Sequence, residues 1–194
     1  MTTNDTRQRV LDTAAGLFQR QGYNATGLNQ VLAESNAPKG SLYFHFPRGK
    51  EQLAVEAVAL SGARLGAELR EALTSAPDVR TAIIRVGDLL ARNLEQSQFH
   101  EGCPIATVAL EAAAESEPLR DACESTYTDW MDGLARYLRA QSVPGDRAQP
   151  LAELILSGLQ GALLIARVKH DVTCVRTVST QIADLAAAAV ETKE

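Results

Sequence analysis

The apolar positions of this chain recur at helical spacing along most of its length. Val10, Leu11, Ala14 and Leu17 fall on one face of a first helix, and Gly22 is a typical stop at its carboxyl end. A half-buried strand alternates between apolar and polar residues. No segment of this chain alternates cleanly in that way. The spacing therefore predicts an all-α chain of about nine helices.

The second and third predicted helices are short and follow the first closely. Thr26 is expected to cap the second, and a tight turn over residues 35–37 follows it. Pro38 suits the first position of a helix and is expected to open the third, Lys39 to about His45. Pro47 then interrupts the chain.

A longer helical segment follows this break. A long helix is predicted from Lys50 to about Ser75, with further helices at about 78–98, 104–115, 118–141, 147–171 and 175–191. The expected organisation is a three-helix head over residues 1–48, joined to a larger helical bundle over residues 49–194.

The composition is that of a soluble globular protein, with 45% apolar and 22% charged residues. Glu153, Ser157 and Gln160 interrupt the most apolar predicted helix, and a membrane span needs about 20 apolar residues, so no span is expected. The polar N-terminus lacks a secretory signal. Three cysteines without a CxxC motif, and three histidines, predict a cytoplasmic protein with no metal site and no cofactor.

The net charge of −5 conceals an asymmetry along the chain. Residues 1–50 carry six basic and three acidic side chains, a balance of +3, whereas the remainder carries 13 basic and 21 acidic side chains, a balance of −8. A basic head on an acidic body is the charge layout of a small DNA-binding module joined to a second function.

Residues 26–46 have the spacing of a helix-turn-helix, in which a three-residue turn separates two short helices. This spacing lets the second helix enter the major groove of DNA, which is about 12 Å wide. A short polar helix between two others is also consistent with a simple connector, and the spacing alone favours neither interpretation.

The residues themselves favour the DNA-binding interpretation, because residues 22–53 resemble the DNA-binding head of TetR-family regulators. The resemblance rests above all on the ordered run Lys39-Gly-Ser-Leu-Tyr-Phe-His-Phe46. Gly102-Cys-Pro-Ile-Ala106 and Pro47-Arg-Gly-Lys-Glu51 are similar to the LmrA/YxaF branch of that family. The resemblance implies a transcriptional repressor that binds a palindromic operator.

The resemblance also implies roles for individual residues of the head. Thr26 and Lys50 are expected at DNA phosphates, where the N-terminus of the long helix also favours an anion. Phe44 stands where other members carry a polar ring and is expected to make apolar contact, for instance with a thymine methyl group. Leu42 and Phe46 are expected in the core. The predicted DNA-binding residues are Thr26, Lys39, Gly40, Ser41, Tyr43, Phe44, His45 and Lys50.

The predicted helix at 147–171 is apolar nearly all round, whereas a surface helix normally has one apolar stripe. Its two stripes imply two buried contacts, either within a monomer or with a second chain, and Gly158 and Gly161 would admit a close neighbour. The family resemblance implies a homodimer formed by the last two helices, with Leu163 on a side that could face the partner. The two stripes are Leu151, Ile155, Ala162 and Ile165, and Leu156, Leu159, Leu163 and Ala166.

The resemblance further implies a small-molecule effector bound inside the bundle. Such sites are mostly apolar with a few orienting polar groups, and ordinary core packing is the alternative role for each candidate. Trp130 is the strongest candidate because its large face could stack on a planar ligand. The full set is Leu90, Asn93, Phe99, Thr107, Tyr127, Trp130, Met131 and Gln160.

Two other functional classes compete with a ligand-responsive repressor. An enzyme is disfavoured because the chain lacks G-x-S-x-G, P-loop and H-E-x-x-H motifs, and the pair Glu111 and Glu115 is of the kind that is usually solvated. An architectural or constitutive DNA-binding protein without a ligand remains the alternative; its DNA affinity would not respond to any small molecule.

Overall fold

The computed structural model describes residues 3–191, with side chains from residue 5 onward. Within that range the chain forms nine helices and no strand, which confirms the predicted all-α class. The helices are α1 (Thr3–Ala25), α2 (Leu28–Glu34), α3 (Ser41–His45), α4 (Gly49–Thr74), α5 (Val79–Gln96), α6 (Pro104–Ala112), α7 (Glu117–Ala140), α8 (Gly145–Lys169) and α9 (Thr173–Ala187).

The predicted helix ends lie within a few residues of the observed ones, because the breaks follow Gly and Pro. Gly22 interrupts the helical backbone of α1 as predicted, with φ 85° and ψ 175°, a conformation that is essentially restricted to glycine.

Two predictions about the short helices were wrong. Gly27, not Thr26, is the N-cap of α2. Helix α3 begins at Ser41 with Gly40 as its N-cap, two residues later than predicted. Pro38 lies before that helix, where its carbonyl closes a turn by accepting from Ser41 N at 2.9 Å.

The chain folds into two compact units. The first, residues 1–64 with 103–126, holds α1 to α3, the start of α4, α6 and the start of α7. Its buried side chains include Val10, Phe18, Val31, Leu53 and Ile105, so α6 packs with the N-terminal helices although it lies far from them in the sequence.

The second unit, residues 65–102 with 127–194, has a continuous aliphatic core contributed by α5, α7, α8 and α9. Helix α8 supplies eight buried side chains to it. Of the described helices only α8 is long and apolar enough to cross a membrane by length and composition, and a core helix of a helical protein has the same features.

The two compact units do not coincide with the predicted division at residue 48, since α6 and the beginning of α7 belong to the first unit. The compact units are defined by contacts within the chain, whereas the predicted division concerns function. The functional division into residues 1–48 and 49–194 therefore stays a prediction.

Candidate nucleic-acid interface

The helix-turn-helix is formed by α2, a tight turn and α3. The turn is closed by Asn36 N and Ala37 N, which donate to Ala33 O at 3.2 Å and Leu32 O at 3.0 Å. Asn36 has a φ of 51°, a left-handed conformation that Asn adopts more readily than most residues. The turn predicted over residues 35–37 is therefore confirmed.

Helix α3 has an apolar inner face and an aromatic outer face. Leu42 and Phe46 are buried, at 1% and 0% exposure, and this confirms their predicted place in the core. Tyr43 and Phe44 lie outward, at 63% and 73% exposure, and Phe44 contacts the ring of His45 edge-on at 4.9 Å between centroids. Such exposure of two large aromatic side chains on a five-residue helix marks a surface that is suited to a partner.

The residues that precede this outer face are open to solvent. Lys39 and Gly40 are exposed, and a Cβ at Gly40 would meet no atom within 4 Å. Ser41 is half-buried, and its hydroxyl donates to Pro38 O at 2.7 Å. A cation and an unobstructed backbone therefore border the exposed aromatic side chains.

Lys50, in the first turn of α4, is fixed against the end of α1. Its Nζ donates to Asn24 O at 3.3 Å and lies 4.5 Å from the centroid of the Tyr23 ring. Burial lowers the pKa of Lys50, and the negative charge of Glu111 opposes that shift by raising it. The ammonium group is thus oriented by its neighbours and is still half-exposed.

Thr26 occupies a different environment from the one predicted. Its side chain is 1% exposed, and its hydroxyl donates to Gly22 O at 2.7 Å and accepts from Gln21 Nε2 at 3.3 Å. The hydroxyl therefore ties the end of α1 to the start of α2, and the phosphate contact at Thr26 stays a prediction.

With this geometry in view, the similarity to known proteins is informative. Residues 10–57 match the family described as bacterial regulatory proteins of the tetR family, and residues 80–181 match the C-terminal domain of LmrA/YxaF-like transcriptional regulators. The HTH-type transcriptional regulator LmrA of Bacillus subtilis is 35% identical over 95% of this chain and 98% of its own length. The regulator YxaF of the same organism is 37% identical, covering 92% and 93%.

The chain belongs to the TetR family of transcriptional regulators, in its LmrA/YxaF-like branch. Its relatives are named as transcriptional regulators and not as enzymes. A TetR-family regulator from Cytophaga hutchinsonii has the same fold, with a TM-score of 0.85 and 22% identity over 100% of this chain and 98% of that one. Members of the family bind DNA through the helix-turn-helix. The DNA-binding element of this TetR-family regulator is therefore the helix-turn-helix formed by α2, the turn and α3.

The residues predicted at an effector lie in several separate environments of this regulator. Trp130 is buried at 7% exposure and contacts Tyr127 edge-on at 5.8 Å between ring centroids. A Cβ at Gly66 would lie 2.9 Å from Trp130 Nε1, so α4 passes closely over this pair. Tyr127 and Trp130 of the predicted set are therefore in contact, with Gly66 of α4 beside Trp130.

Other members of that set are engaged elsewhere. Leu90 is buried in the aliphatic core, whereas Asn93 is exposed and donates to Glu68 at 3.4 Å. Phe99 stacks on His170 at 5.0 Å. Thr107 belongs to the first compact unit and donates to Cys103 O at 3.2 Å.

Met131 and Gln160 are half-buried in the second unit. The effector site stays a prediction.

Two further residues, Arg48 and Glu111, lie near the DNA-binding element and were not predicted there. Arg48 is exposed beside Gly49 in the turn between α3 and α4, and the signal for it was a cation next to a helix break. Glu111 was expected in a solvated pair, which was wrong, because its Oε2 accepts from Asn24 N at 2.8 Å. Nothing local in the sequence could connect positions 87 residues apart.

Burial disfavours reactivity at two of the three cysteines. Cys103 and Cys123 are buried, and burial raises the pKa of Cys123 to about 11, which disfavours the reactive thiolate. In the part of the chain that the structure describes, no group of three or more His, Cys, Asp or Glu side chains could hold a metal ion.

Proposed function

We propose that the protein is a cytoplasmic, ligand-responsive repressor that binds a palindromic operator as a homodimer and is released by a small apolar or aromatic effector. Residues 1–48 bind DNA, and residues 49–194 bind the effector and form the dimer. The observation that carries the proposal is the outer face of α3, where Tyr43 and Phe44 are exposed beside Lys39.

Operator contacts follow from the chemistry of this face. Lys39 supplies a cation, Gly40 and Ser41 allow the backbone to approach, and Tyr43 and His45 reach the DNA backbone or base edges. The second group of contacts is to phosphate, through Lys50 at the start of α4. Phe44 contacts the methyl group of a thymine in the major groove.

An exposed aliphatic surface on α8 and α9 supports the homodimer. Val168 is 77% exposed and Leu164 58%, with Ile165 and Leu185 each at 45% and Leu154 at 44%. A row of large aliphatic side chains on two long helices is costly in water and is the usual composition of an interface between identical subunits. Two α8–α9 pairs would bury it in a four-helix bundle.

Leu163, by contrast, is 5% exposed and packs in the core of its own unit, so its predicted place toward a partner was wrong. The space beside Gly158 is likewise filled by the chain itself, since a Cβ there would lie 2.6 Å from Ile182 Cδ1 of α9. A Cβ at Gly161 would meet no atom within 4 Å, so this side of α8 is open to a second copy.

A symmetric dimer requires a symmetric operator. Two α3 helices related by a two-fold axis read half-sites about one helical turn of DNA apart, or a multiple of that distance. The operator is expected to be a palindrome for this reason.

The decisive experiment measures coupling between effector and operator. An operator is first selected from a random duplex library, and drug-like and flavonoid-like aromatic compounds are then titrated while Trp130, the one tryptophan of the chain, reports binding. Because linkage is reciprocal, a compound that releases DNA must bind more weakly when operator is present, by a factor of about 5–150.

The outcomes distinguish the proposal from its alternative. Equal compound affinity with and without operator means that the site exists but is not a switch. Specific operator binding that no compound in the screen shifts favours the architectural or constitutive regulator. A protein that selects no duplex sequence at all contradicts both functions.

A further inference from the structure

Helix α6 holds the segment that joins α1 to α2 through the carboxylate of Glu111. This carboxylate lies where a side chain of Gly22 would be, because a Cβ built there would overlap both of its oxygens. Its Oε2 also accepts a hydrogen bond from Asn24 N at 2.8 Å. Gly22 thus leaves room for the Glu111 carboxylate because it has no side chain, and Asn24 supplies the N–H donor that this carboxylate accepts.

The same segment orients Lys50. Asn24 donates its backbone N–H to Glu111 and accepts from Lys50 Nζ through its carbonyl oxygen at 3.3 Å. The Lys50 ammonium also lies over the Tyr23 ring, at 4.5 Å from the centroid. A continuous path of polar contacts therefore runs from α6 to the cation at the start of α4, and all of it lies within the first compact unit.

A second contact joins the same elements. Ser116, which follows α6, donates its hydroxyl to Glu51 Oε1 at 2.7 Å, and Glu51 is the neighbour of Lys50 in the first turn of α4. Polar contacts from α6 and from the residues after it thus reach both Asn24, which binds Lys50 Nζ, and Glu51, which follows Lys50.

We propose that Glu111 is a positioning residue for DNA binding, which acts by holding Asn24 and thereby fixing the Lys50 ammonium where a phosphate is bound. The inference rests on the proposed role of Lys50 in operator binding. Glu111 lies in the segment that matches the LmrA/YxaF-like C-terminal domain, whereas Lys50 lies in the segment that matches the tetR-family head. Glu111 therefore couples the position of α6 to the position of the Lys50 ammonium.

The test compares Glu111→Ala and Glu111→Gln with wild type, using a fluorescein-labelled operator selected from a random duplex library. We expect Glu111→Ala to weaken binding about tenfold, as for loss of one charge-assisted hydrogen bond. Glu111→Gln keeps an oxygen acceptor for Asn24 N and should recover most of that loss. Glu115→Ala is the matched control, because Glu115 is exposed one turn further along the chain, and it should bind like wild type.

Three further measurements distinguish positioning from a general loss of stability. Glu111→Ala should flatten the salt dependence of binding by about one unit, as Lys50→Ala does, because both remove the same phosphate contact. In the Lys50→Ala background, Glu111→Ala should have little additional effect. Amide exchange at Asn24 should accelerate in Glu111→Ala without DNA, while the circular dichroism spectrum stays that of a folded protein.

The results that overturn the proposal are equally specific. A Glu111→Ala variant that binds operator as tightly as wild type, or that weakens binding with an unchanged salt slope and additive effects with Lys50→Ala, overturns the positioning role alone. An unchanged exchange rate at Asn24 overturns it without reference to DNA. If the wild-type protein selects no duplex, the proposed function fails first, and the inference fails with it.

Discussion

The outer face of α3 and the outer face of α8 both expose apolar side chains, but they differ in kind. On α3 two aromatic residues, Tyr43 and Phe44, project from a helix of one and a half turns beside Lys39 and Gly40. On α8 a row of aliphatic residues, from Leu154 to Val168, extends over four turns, with Leu185 of α9 as a further member.

The two compositions suit different partners. A short aromatic face bordered by a cation fits a polar, negatively charged groove that also contains methyl groups, which describes the major groove of DNA. A long aliphatic row offers no polar groups for recognition, and it is stabilised by burial against a surface of the same composition. Exposure alone would not have separated the two roles.

The largest effect is expected from a charge in the aliphatic row. Ile165→Asp should leave an unpaired carboxylate in the dimer interface, at a cost of about 3–5 kcal/mol per buried charge. That cost weakens association by several powers of ten, so sedimentation should show a monomer at micromolar concentration.

Leu110→Asp is the control for Ile165→Asp. Leu110 is 80% exposed on α6 but is not part of the aliphatic row, so its replacement should leave the dimer intact. A dimeric Ile165→Asp variant, or a monomeric Leu110→Asp variant, would place the interface elsewhere and remove the contrast between α3 and α8.

A smaller effect is expected at the aromatic face. Tyr43→Ala and Phe44→Ala should each weaken operator binding by about 1–3 kcal/mol, measured by fluorescence anisotropy, with no change in oligomeric state. For Phe44 the contact can be tested from the DNA side, because uracil lacks the methyl group of thymine.

The thymine experiment has a clear internal control. Replacing the contacted thymine by uracil should weaken wild-type binding but have no effect on Phe44→Ala. If uracil weakens both proteins equally, Phe44 does not contact that methyl group, and the proposed role of Phe44 is wrong.

The smallest effect in standard salt is expected at Lys50, in the first turn of α4. Lys50→Ala should weaken binding to all duplexes by a similar factor and flatten the plot of log affinity against log salt by about one unit. Lys169→Ala, at the exposed end of α8, is the matched control and should leave the slope unchanged. An unchanged slope for Lys50→Ala would mean that its ammonium serves only the contacts with Asn24 and Tyr23.

The long helices could be predicted from sequence because their signals are local. Apolar spacing, Gly22 and the Pro-containing breaks determine where the backbone turns, whatever lies nearby. The start of α3 could not be predicted as well, because Pro38 is compatible both with the first turn of a helix and with the turn before one. The hydrogen bond from Ser41 N to Pro38 O selects the second arrangement.

The helical class, the helix-turn-helix and the family could all be predicted from the sequence, since these depend on short-range spacing and on a dense local motif. The exposed side of α8 could not be predicted, because the helix is apolar nearly all round. Packing in the folded unit buries most of both predicted stripes, Leu163 among them, and leaves Ile165 exposed beside Leu164 and Val168. Tertiary structure also decided the role of Glu111. Its partner Asn24 is 87 residues away, and no pattern along the chain encodes a contact that forms only when two helices pack together.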